Sequence, residues 1–95
     1  MKATIIFILI LAFVSCTTKL YVPSEANVNK RETASLAELQ KGKEIFSNKC
    51  GRCHKLPNPE KHLPDEWTKI LGKMALKAKL TAEQKALVFK YVSNY

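Results

Sequence analysis

Residues 50–54 read CGRCH: two cysteines three positions apart, with a histidine directly after the second. Thiolates and imidazoles are metal ligands and nucleophiles, and this spacing serves three chemistries. Cys50 and Cys53 could form a redox dithiol. Cys50, Cys53, His54 and His62 could together hold a zinc ion. Alternatively, each sulfur could add across one vinyl group of a porphyrin, with His54 next in line to reach the iron.

The rest of the chain weighs among these. A redox C-x-x-C normally belongs to a βαβ unit with its first cysteine at a helix start. Here no alternating strand pattern occurs, and the pair follows a helical stretch. For zinc, adjacent Cys53 and His54 would strain to bind one tetrahedral ion, and only His62 remains further along. C-x-x-C-H is the attachment signal of c-type haem. The two-residue spacer lets both thioethers reach the same macrocycle, and Gly51 and Arg52 need only permit the turn. Met74 is the only methionine besides Met1. Its soft sulfur is the candidate for the second face of the iron, where it would favour the ferrous state and raise the potential. His62 or water are the other candidates there. An iron left open on that side would bind peroxide or a diatomic gas, a catalytic or sensory alternative to electron transfer.

Three helices are expected to position these groups. Ser35 and Glu38 fit a capping box, and Leu36, Leu39, Gly42 and Phe46 fall on one face, predicting a helix from about Leu36 to Asn48. Glycine inside a helix costs about 1 kcal/mol against alanine, which suits a place where another backbone crosses. Residues 55–63, KLPNPEKHL, predict an extended loop. A second helix starts at Pro64 or Asp65 with Trp67, Ile70, Leu71 and Met74 on one stripe. Gly72 is a candidate stop for it, which would put Met74 at the mouth of the next loop; otherwise Met74 stays on the apolar face. Thr81 and Gln84 cap a third helix with Leu87, Val88, Tyr91 and Val92 on its apolar side. The fold class is all-α.

The first sixteen residues, MKATIIFILILAFVSC, have the short charged start and apolar run of an export signal, shorter than the roughly 20 apolar residues of a spanning helix. An uncleaved anchor is the alternative. The ending FVSC resembles the lipobox of bacterial lipoproteins, which implies cleavage before Cys16 and a diacylglycerol on its sulfur. Residues 1–15 are therefore read as signal peptide, 16–34 as lipidated cysteine and flexible tether, and 35–95 as the domain. The formal charge of +8, with sixteen basic residues against eight acidic, favours acidic partners or anionic surfaces. The lysines are scattered and the chain is exported, which argues against nucleic acid.

GKEIFSNKCGRCH resembles the opening of a class I (monohaem) cytochrome c domain, and LTAEQKALVFKYVSNY is similar to that family's closing helix. PDEWTKILGKM looks like the tryptophan and methionine of its short members. The resemblance implies a three-helix fold around one covalent haem c, with Cys50 and Cys53 as thioethers and His54 and Met74 as iron ligands. It also implies a crossing of first and last helices at Gly42 with Phe46 and Tyr91 beside it. Trp67 would pack on the haem edge with its indole N–H toward a propionate, and Leu56 and Pro64 would line the crevice. Lys73 and Lys77 would form a basic rim for a redox protein with an acidic docking surface. The implied role is an electron carrier, not an enzyme, on the periplasmic or cell-surface side of a membrane.

Overall fold

The computed structural model describes residues 20–50 and 56–95. Helices α1 (Leu36–Ile45), α2 (Pro64–Lys77) and α3 (Ala82–Ser93) make up its frame, with short 3-10 turns at Glu25–Asn27 and Pro59–Lys61. No strand occurs among the described residues, so the chain is all-α with three helices, as expected.

Both predicted capping boxes close. The Glu38 amide donates to Ser35 Oγ at 3.2 Å, and the Ser35 amide returns to Glu38 Oε1 at 3.1 Å. Gln84 and Thr81 do the same at 3.1 and 3.0 Å. Each box satisfies two amides that a helix start would otherwise leave without an acceptor. The two helices then cross at Gly42. A Cβ there would collide with the Leu87 carbonyl and lie 2.9 Å from Tyr91 Cβ, so only glycine lets the backbones approach this closely. Leu39, Ile45, Phe46, Trp67, Leu71, Val88, Tyr91 and Val92 form the buried core around that crossing.

Helix α1 does not run regularly to Asn48. After Ile45 it widens into a π-turn over Phe46–Cys50. The cause is local. The Phe46 amide is shared between the Gly42 and Lys43 carbonyls, and the Ser47 hydroxyl donates to the Lys43 carbonyl at 2.8 Å. A side chain that competes for an i−4 carbonyl loosens the backbone ladder.

Gly72 does not stop α2. The helix ends in a Schellman arrangement, with the Leu80 amide on the Ala75 carbonyl at 2.9 Å and the Lys79 amide on Leu76 at 3.3 Å. Lys79 takes the left-handed position, φ 56°, that glycine usually fills. Leu80 packs on the core behind it. Met74 therefore lies within the helix, on its continuing stripe.

The described part of the expected tether is not loose. Leu20 and Tyr21 pack against the core. The Tyr21 and Tyr91 rings stack with centroids 4.4 Å apart. Tyr91 O–H donates to the Tyr21 carbonyl at 2.7 Å, and Tyr21 O–H donates to the Tyr91 carbonyl. Further along, the Asn94 side-chain oxygen accepts from the amides of Arg31 and Glu32 at 2.8 and 3.0 Å. Asn27 Nδ2 donates to the Asn94 carbonyl at 2.9 Å, and the Arg31 guanidinium lies 4.2 Å over the Tyr95 ring. Residues 20–34 are thus a strap fastened along the end of α3, so the folded unit includes them as well as residues 35–95 among the described residues. Polar composition suggested a tether because these fastenings are hydrogen bonds to distant residues, which leave no hydrophobic period.

Candidate functional site

The site is assembled from three stretches. The π-turn brings Phe46 and Cys50, the following loop brings Leu56 and Pro57, and α2 brings Trp67, Ile70, Leu71 and Met74. Together they line an apolar cleft of about 90 Å³. Cys50, Phe46, Trp67 and Leu71 are buried; Leu56, Pro57, Ile70 and Met74 are partly exposed at the mouth. The π-turn matters because it ends on Cys50, the first residue of the CGRCH segment, and keeps that residue against the core.

Trp67 forms the floor. Its ring meets Phe46 edge-on, centroids 5.9 Å apart at 87°. Its indole N–H donates to the Pro59 carbonyl at 2.9 Å. A buried N–H needs an acceptor, and the 3-10 turn at Pro59–Lys61 presents one. That bond ties the loop carrying Leu56 and Pro57 to α2. Leu56 and Pro57 are both in this lining, and Pro64 is the first residue of α2.

His62 stands apart from the cleft lining. Its ring lies edge-on to Trp67 at 5.2 Å, and its Nδ1 is 3.1 Å from Glu66 Oε2. The hydrogen bond from His62, helped by the Leu63 amide, holds the Glu66 carboxyl below the usual carboxylate range. Tyr95 O–H donates to the His62 carbonyl at 3.0 Å, so the C-terminus also braces this loop. Lys73 and Lys77 are exposed on α2, one residue before and three after Met74.

Cys16, Cys53 and His54 lie outside the described residues. Of the other expected site residues, the fold brings Cys50, Trp67 and Met74 into one cleft. Among the described residues no group of three His, Cys, Asp or Glu side chains is placed to hold a metal ion. No described helix is long and apolar enough to cross a membrane. Sequence reading missed the Pro59 carbonyl and the Asn94 hub. The first is a backbone group with no residue signature; the second is an ordinary polar residue near a chain end.

Searches of protein-family models, curated proteins and solved structures find no match to this chain.

Proposed function

We propose that the chain is a small monohaem c-type cytochrome that carries single electrons outside the cytoplasmic membrane, anchored by lipid on Cys16, and that it makes and breaks no substrate bond. One observation carries the reading: the CGRCH segment starts at a residue buried against an apolar cleft whose lining includes the Met74 thioether. The residues present fit a haem. The cleft lining has no charged side chain, its sulfur is a soft ligand for ferrous iron, and its rings suit the face of a porphyrin. At about 90 Å³ it would seat one edge of the macrocycle and leave another accessible, which suits exchange with a protein partner.

A haem bound here supplies an iron that alternates between ferric and ferrous states. Cys50 and Cys53 would hold it through thioethers, and His54 and Met74 would be the iron's protein ligands. Phe46, Trp67 and Leu71 exclude water from the buried side. The Trp67–Pro59 bond keeps the loop of Leu56 and Pro57 from opening. Lys73 and Lys77 supply positive charge beside Met74, which favours a partner with an acidic docking surface and weakens with salt.

The test uses protein coexpressed with haem-attachment machinery. The colour should survive acid–acetone extraction, and the reduced spectrum should be low-spin and unchanged by carbon monoxide. Met74→Ala should bind carbon monoxide. Ready binding by the unsubstituted protein would favour the reading with an open iron site, and bound zinc without haem would overturn the cytochrome assignment.

A further inference from the structure

The fastened strap changes what a lipid on Cys16 would do. A free tether from 16 to 34 would have an r.m.s. span of roughly 23 Å and could reach much farther. Only residues 17–19 separate Cys16 from Leu20, where packing on the core begins. Four peptide steps reach at most about 14 Å. The fold therefore replaces most of the tether with structure.

We propose that residues 20–34 act as a fixed mount that holds the domain directly on the bilayer by its strap-bearing face; this rests on the lipidation of Cys16 proposed above. Three observations converge on it. The strap is locked at both ends, by the Tyr21–Tyr91 pair and by Asn94 with Arg31 and Glu32. Val22, directly after the clamp, is 74 % exposed, an apolar side chain presented within a few residues of the anchor. None of the residues lining the cleft belongs to the strap, so mounting leaves the cleft uncovered by it. The surface it fits is the lipid headgroup boundary. Glu25 and Glu32 balance Lys30 and Arg31 within the strap, so this contact needs no anionic lipid. Short reach confines electron exchange to partners whose redox group lies close to the same membrane.

The experiment uses haem-loaded, full-length lipoprotein on a supported phosphatidylcholine bilayer, after mass spectrometry of Cys16. Neutron reflectometry should place the protein layer against the headgroups with a water gap below ~14 Å, insensitive to salt. A flexible Gly/Ser stretch of about a dozen residues between Lys19 and Leu20 leaves the strap docked and should widen the gap by ~20 Å. Hydrogen exchange should show the amides of 20–34 protected in both proteins and those of the insert unprotected. A lipidated protein whose 20–34 amides exchange as fast as the insert, or whose layer does not move on insertion, overturns the mount alone. Absence of diacylglycerol on Cys16 overturns the anchor reading and the mount with it, while the exchange data still report whether the strap is docked.

Discussion

On the Tyr91 side of Phe46, the strap and α3 meet through directed bonds: two phenols on two carbonyls, and Asn94 accepting two strap amides on its side chain and the Asn27 side chain on its carbonyl. On the Trp67 side, the cleft presents rings, aliphatic carbons and sulfur. Phe46 touches both, 6.0 Å from the Tyr91 ring and 5.9 Å from Trp67. Directed bonds specify one geometry and lose discrete amounts of energy when broken. Apolar contact specifies shape and volume, and tolerates a change of occupant. The seam is therefore the part that must not move, and the cleft the part whose contacts can be rearranged.

Both regions hang on the α1–α3 crossing, so the largest effect should come from breaking it. Gly42→Ala should cost about 3 kcal/mol or more in urea denaturation, because the new methyl meets backbone and cannot be accommodated by a rotamer. If the loss is below about 1 kcal/mol, the crossing is looser than described and the two regions are less firmly coupled.

Asn94→Ala should act on the seam alone. It leaves the amides of Arg31 and Glu32 without their acceptor and should cost about 2 kcal/mol, with faster hydrogen exchange across 20–34 and no change at α2. Equal loosening at both regions would erase the contrast between them.

Alkaline pH should also reach the seam first. Burial pushes the Tyr21 phenol well above its usual range, against a smaller opposing pull from Arg31; burial raises Tyr91 too, with Tyr21 adding to the effect. A raised phenol favours the folded state fully below the unfolded value of about 10, and this contribution is lost as pH rises toward the folded values. Stability should therefore fall above about pH 10, and tyrosinate absorbance should lag behind that of the unfolded chain. Tyrosines that titrate normally would mean that the clamp is open in solution.

The smallest effect is a gain. Lys79 holds a left-handed conformation at the end of α2, and Lys79→Gly should relieve it for roughly 0.5 kcal/mol of added thermal stability. A loss instead would show that the lysine side chain contributes more than its backbone costs.

Much of this architecture is written locally. Ser35 with Glu38 and Thr81 with Gln84 announce their helices because partner and acceptor lie three residues apart. The apolar stripes of α2 and α3 place Trp67, Met74, Val88 and Tyr91 for the same reason. The strap is illegible by that method: Asn27 and Asn94 are 67 positions apart, and neither residue type forecasts the other. The end of α2 misled differently, since a lysine occupies the left-handed site and Gly72 sits in ordinary helix. For the cleft, sequence identified Met74 and Trp67 but not the acceptor of the indole N–H, because any backbone carbonyl could have served.

The π-turn at Phe46–Cys50 sets a phase. An α-helix turns about 100° per residue, so one residue accommodated in a wider loop rotates everything after it by about that angle. Closing this turn into regular α-helix with its five residues kept would swing the Cys50 sulfur out of the cleft, whereas taking one residue out as the helix closes would return it to nearly the same bearing. The spelling of CGRCH could stay intact while its bearing was lost, so the width of the turn after Ile45 matters to that segment as much as its cysteines do.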